Sequence, residues 1–81
     1  MNTQKLGNIP LKDFRLFLSK IGCECIDAGR GGHEKWIKSG LTRPIIIQSH
    51  IDPVPRLVVL NTLRNLGISR KEYFDLMSKK H

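Results

Sequence analysis

The residues best suited to chemistry lie together between positions 30 and 38. His33 follows Gly31 and Gly32 directly, and Lys35 lies two places further on. Imidazole exchanges protons near neutral pH, so His33 can take a proton from a hydroxyl or give one to a leaving oxygen. Lys35 and Arg30 can neutralise charge that develops on a phosphodiester. The glycines let backbone N–H groups approach its oxygens closely. RNA brings its own nucleophile, the 2′-hydroxyl, so one histidine and a few cations can suffice to cleave it. The residue types alone leave a second reading open, in which His33 is a plain surface side chain beside a turn.

Other chemistries fit the sequence less well. The glycine run lacks both the Walker spacing and GxGxxG, and it joins two expected strands rather than a strand to a helix. The carboxylates are scattered and the three histidines are far apart in the chain, so no metal-ligand set is visible and no cofactor is expected. Cys23 and Cys25 cannot form a zinc site without a second pair, and a bridge between residues two apart on a strand would be strained. Both are expected to be small buried or half-buried apolar groups.

Composition sets the class of partner. Fourteen Lys and Arg against seven Asp and Glu give a net charge of +7, which draws in phosphate polymers or acidic partners. The same excess could serve solubility alone. The length of 81 residues suits one domain, expected to span 1–81 with its ordered core over about 5–77. No stretch approaches the ~18 apolar residues needed to span a bilayer, so no membrane contact is expected. Met1 to Asn8 lacks the apolar core and cleavage site of a signal peptide, and the expected location is the cytoplasm.

Periodicity places these residues on elements. Leu11, Phe14, Phe17, Leu18 and Ile21 predict a helix over Pro10–Ile21, with Asn8 as its cap and Gly22 as its stop. Strands are expected over Cys23–Ala28, His33–Lys38 and Thr42–His50, the last centred on three isoleucines. A second helix is expected to start at Asp52 as cap with Pro53 in its first turn, to carry Leu57, Leu60, Leu63 and Leu66, and to stop at Gly67. Ser69 and Glu72 form a capping box for a short third helix, with Ile68 and Tyr73 as a hydrophobic staple. Lys79, Lys80 and His81 are expected to fray.

The fold class is therefore α+β: α-β-β-β-α with a three-stranded antiparallel sheet, helices on one face and a short C-terminal helix. This is the element order of double-stranded-RNA-binding domains. Strand parity sorts the second strand. Trp36 belongs in the core with Glu34 and Lys38 on its side, and His33, Lys35 and Ile37 face the open side.

Three runs carry a resemblance to a known family: Gly31-Gly32-His33-Glu34-Lys35-Trp36, Thr42-Arg43-Pro44-Ile45 and His50-Ile51-Asp52-Pro53-Val54-Pro55. With the closing Leu63-Arg64-Asn65-Leu66-Gly67-Ile68-Ser69 and Tyr73-Phe74, they resemble the HicA family of toxins. The resemblance covers residues 5–77 in element order and is most specific at Gly-Gly-His-x-x-aromatic. It implies a double-stranded-RNA-binding-domain-like fold and the activity of a messenger-RNA interferase, a metal-independent endoribonuclease. It puts His33 at the catalytic position and Trp36 at the aromatic core position, and it implies a HicB-type antitoxin as partner. Many members carry Ser where this chain has Gly32, and a Gly-Thr-Leu segment where it has Asp52-Pro53-Val54-Pro55.

His33 is then the candidate catalyst, and Arg30, Gly32, Lys35, Lys38 and Arg43 are the candidate RNA-binding residues. In-line attack of the 2′-hydroxyl would give a 2′,3′-cyclic phosphate and a 5′-hydroxyl. His50, ending the third strand, either approaches this site or serves the backbone before the second helix. Two rivals remain. A non-catalytic RNA-binding module would need a lysine cluster at the start of the second helix, where this chain has one Arg and one Asp. A helix-turn-helix DNA-binding regulator would read DNA with the third helix, where only Arg70 and Lys71 near its start could touch it.

Overall fold

The computed structural model describes residues 8–78, without the side chains of 28–30. The expected fraying of Lys79, Lys80 and His81 lies outside the described residues, as do residues 1–7.

The first helix, α1, runs Leu11–Lys20. Leu11, Phe14, Phe17 and Leu18 are buried at the three- and four-residue spacing that makes one apolar stripe. Gly22, at φ +92°, ends it. Its N–H reaches the Ser19 carbonyl at 3.1 Å and the Cys23 N–H reaches Leu18 at 2.9 Å, the bond pair of a Schellman turn.

Three antiparallel strands follow in the order β1 (Glu24–Arg30), β2 (His33–Ile37), β3 (Ile45–Gln48). Strand β2 lies in the middle, so both of its edges are paired and its side chains alternate strictly between exposed and buried. Strand β1 is longer than its sequence predicts and has irregular register after Cys25 and after Ala28. Strand β3 is shorter than the expected Thr42–His50, because Pro44 cannot donate to the ladder and β2 offers no partner beyond His33. Cys23 is buried as expected, but Cys25, expected to be buried or half-buried, is exposed; its strand loses simple alternation at the irregularity that follows it.

The second helix, α2, runs Arg56–Leu66, not from Asp52. Pro55 restrains the preceding Val54 to extended backbone, and Val54 instead bridges to Ile9, itself restrained by Pro10. The expected caps are exchanged. Asn8 Oδ1 accepts the Arg56 N–H at 3.0 Å, at the head of α2. Asp52 Oδ1 accepts the Leu11 N–H at 2.9 Å, at the head of α1. The buried stripe of α2 is Val59, Thr62 and Leu63, whereas Leu57 is 68% exposed. Six residues turn a helix by about 600°, which leaves Leu57 roughly 120° away from Leu63.

The third helix, α3, runs Arg70–Ser78 and begins with the expected capping box. Ser69 N–H donates to Glu72 Oε1 at 2.8 Å and Glu72 N–H to Ser69 Oγ at 3.0 Å. It packs on α1, with the Phe17 and Tyr73 rings edge to face at 4.8 Å and Lys20 Nζ donating to the Leu76 carbonyl at 3.0 Å.

All three helices contribute to one hydrophobic cluster against Trp36, Ile45 and Ile47 of the sheet. This is the expected α+β arrangement, with element order α–β–β–β–α–α and the opposite face of the sheet left open. Among the described residues, no helix is long and apolar enough to cross a membrane.

Candidate active site

Gly31 and Gly32 form the whole connection between β1 and β2, with φ of +65° and +78°. Two consecutive positive φ values are the mark of the tight hairpin turn whose twist suits flanking strands. The turn pairs Arg30 with His33 across the strands and fixes His33 at the first position of β2. Gly29, expected in the turn, lies inside β1 at one of its irregularities.

His33 is exposed on the open face, with Gln48 opposite it on β3. Its Nδ1 lies 3.1 Å from the Gly31 carbonyl. That oxygen can only accept, so Nδ1 carries a proton, and in the neutral ring the lone pair is on Nε2. A neutral imidazole held in this tautomer is ready to act as a base.

Lys35 shares the open face, between Asp27 on β1 and Ile46 on β3. Beyond it a shallow hollow of about 250 Å³ is lined by Lys35, Lys38 and Arg43 together with Ile26, Ile37 and Pro44. Three of the four cations expected to bind RNA thus meet on one surface. Lys38 was expected on the side of Trp36, but β2 ends at Ile37 and strand parity no longer governs it. The fourth cation, Arg30, pairs with His33 through the backbone, and its side chain lies outside the described residues.

A second groove, of about 430 Å³, begins at His33 and crosses the free edge of β3 to the head of α2, between Ile46, Gln48, Ile51, Val54 and Val58. A second imidazole, that of His50, lies against Gly32, the residue before His33. The Gly32 carbonyl accepts the Ser49 N–H at 2.7 Å, and a Cβ on Gly32 would meet His50 Nδ1 at 2.8 Å. Gly32 therefore gives the His50 ring the space that a side chain would fill.

Behind the open face, Glu34 is 5% exposed and holds β2 against α1. It forms an ion pair with Arg15 Nη2, accepts a second bond from Arg15 Nε at 3.2 Å, and accepts Trp36 Nε1–H at 3.0 Å. The Arg15 hydrogen bond, resisted by burial and helped by Trp36, holds the Glu34 carboxyl below the usual range. The same bond raises Arg15. Sequence reading missed this clamp, although it put Glu34 on the core side. A carboxylate at a core position requires a cationic partner, and Arg15 in α1 was available to be one.

Among the described residues, no group of three or more His, Cys, Asp or Glu side chains gathers to hold a metal ion. No protein-family model, no curated protein and no solved structure matches this chain.

Proposed function

We propose that this protein is a metal-independent endoribonuclease of the HicA toxin type, cleaving messenger RNA in the cytoplasm with His33 as its proton-transfer group. The observation that carries the reading is the open face of β2. There an exposed histidine with its lone pair on Nε2 stands at a glycine turn, and Lys35, Lys38 and Arg43 line the surface beyond it. The Nε2 would take the 2′-hydroxyl proton as the oxygen attacks the neighbouring phosphate. The cations would hold the strand and offset the charge gathering on the phosphoryl oxygens.

A HicB-type antitoxin would cover the same face. Ile26, Ile37 and Ile46 are 53%, 39% and 48% exposed there, so a partner would find apolar contacts beside basic ones. An acidic inhibitor that also presents apolar side chains meets both requirements.

The test is incubation of the purified protein with labelled single-stranded RNA, with and without excess chelator. Cleavage to 2′,3′-cyclic phosphate ends in chelator is the expected result. A stable complex without cleavage would favour a non-catalytic RNA-binding module, and activity restored only by magnesium or zinc would overturn the mechanism.

A further inference from the structure

Transesterification of RNA moves two protons: the 2′-hydroxyl loses one and the departing 5′-oxygen gains one. His33, with its proton held on Nδ1 by Gly31, is arranged for the first transfer only. We infer that His50 is the catalytic acid for the second, an inference that rests on the ribonuclease reading above.

Three features of the fold hold His50 beside the site. The Ser49 N–H is bonded to the Gly32 carbonyl at 2.7 Å, which fastens the end of β3 to the hairpin turn. The Ile51 N–H returns to the Gln48 carbonyl at 3.1 Å, so the chain turns sharply at Ser49 and His50. Gly32 lacks the side chain that would displace the ring, since a Cβ there would stand 2.8 Å from Nδ1 and 3.4 Å from Cε1. The imidazole is thereby set against the residue that directly precedes His33.

Its surroundings suit an acid that must give up a proton and regain it. His50 is exposed, and its ring makes no hydrogen bond among the described residues that would hold its proton in place. The carboxylates nearest in sequence to the two histidines are otherwise engaged. Glu34 is buried against Arg15 and Trp36, and Asp52 accepts the Leu11 N–H.

In the step itself, His33 Nε2 takes the 2′-hydroxyl proton and the 2′-oxygen forms a bond to phosphorus. The P–O5′ bond breaks, and O5′ takes the proton of the His50 imidazolium. The products are a 2′,3′-cyclic phosphate and a 5′-hydroxyl. His33 ends protonated and His50 neutral, and solvent restores both.

A leaving group that needs no proton separates this role from a structural one. His50→Ala and His50→Gln are assayed on single-stranded RNA and on uridine 3′-(4-nitrophenyl phosphate), whose nitrophenolate departs unprotonated. Both variants should lose about 10²- to 10⁴-fold on RNA and stay within a few-fold of the parent on the nitrophenyl ester. His33→Ala should lose activity on both substrates. Equal losses on the two substrates, or loss of the fold in both His50 variants by circular dichroism, would assign the ring a packing role and overturn the inference. So would RNA cleavage by His50→Ala within a few-fold of the parent. A parent protein that cleaves no RNA would instead overturn the ribonuclease reading, and this inference with it.

Discussion

Asn8 and Asp52 cap each other's helices: Asn8, three residues ahead of α1, accepts the Arg56 N–H of α2, and Asp52, four residues ahead of α2, accepts the Leu11 N–H of α1. Between them Ile9 and Val54 exchange backbone bonds, at 3.4 Å and 2.8 Å. Each of these two residues precedes a proline and so favours extended backbone, which lets a two-residue bridge form where both helices begin. The exchange ties Asn8 and Ile9, just ahead of α1, to the segment that follows His50.

The crossed caps should be energetically linked. Asn8→Ala and Asp52→Ala should each cost about 1 kcal/mol, within the ~0.5–2 kcal/mol found for lost helix caps. The double variant should cost less than the sum, because either loss loosens the Ile9–Val54 bridge that both caps depend on. Urea unfolding of the four proteins checks this. Strict additivity would mean that the two caps act independently.

Glu34 gives the protein an acid-sensitive joint. Its folded-state carboxyl is held down chiefly by Arg15, so it adds stability that is fully present above the ordinary glutamate value of about 4.3. That stability is lost as pH falls through the lower folded-state value. Unfolding curves at pH 7, 4.5 and 3 should show Glu34→Gln with a flatter acid dependence than the parent. Arg15 is 41% exposed, so its loss should cost more than the ~0–1 kcal/mol of a surface pair and less than the ~3–5 kcal/mol of a fully buried one. Identical acid profiles for Glu34→Gln and the parent would show that the clamp does not set this dependence.

How far the sequence could be read follows from the range of each interaction. The two faces of β2 are legible because side chains alternate with a period of two, and this strand is paired on both edges. The capping box of α3 is legible because donor and acceptor lie three residues apart. Asn8 and Asp52 have the composition of local caps, but their partners lie 48 and 41 residues away, and nothing in the local pattern distinguishes the two cases. Four leucines at strict three-residue spacing look like a stripe on α2, yet their directions drift round the helix and Leu57 ends in solvent. The sequence leaves His50 open to two readings because only the turn after β3 decides where its ring goes.

The cation surface should read RNA as a polyanion. If four to six phosphates are neutralised, log affinity for a single strand should fall against log salt with a slope of roughly −3 to −4. Lys35→Glu and Arg43→Glu should each weaken binding and shallow that slope. Arg70→Glu should do neither, since Arg70 opens α3 on the helical side of the molecule. Filter binding at several salt concentrations measures all four proteins. A flat salt response of the parent would leave the net charge as a solubility device.

Two neighbours on β2 should fail in opposite ways. His33 is exposed and, among the described residues, its ring bonds only the Gly31 carbonyl, so His33→Ala removes little packing and should leave the fold and the melting temperature nearly unchanged. Its cleavage of RNA should fall at least ~100-fold, the lower bound for losing a proton-transfer group. Trp36 is 7% exposed, belongs to the core cluster and donates to Glu34, so its truncation opens a cavity and strips the clamp of a donor. Trp36→Ala should cost about 3–5 kcal/mol, which is most of the margin of a small domain. Circular dichroism and an RNA-cleavage assay on both variants separate the outcomes, one folded and inactive, the other unstable. A folded His33→Ala protein that cleaves within a few-fold of the parent would remove His33 from the mechanism and leave its exposure at the hairpin a matter of turn geometry alone.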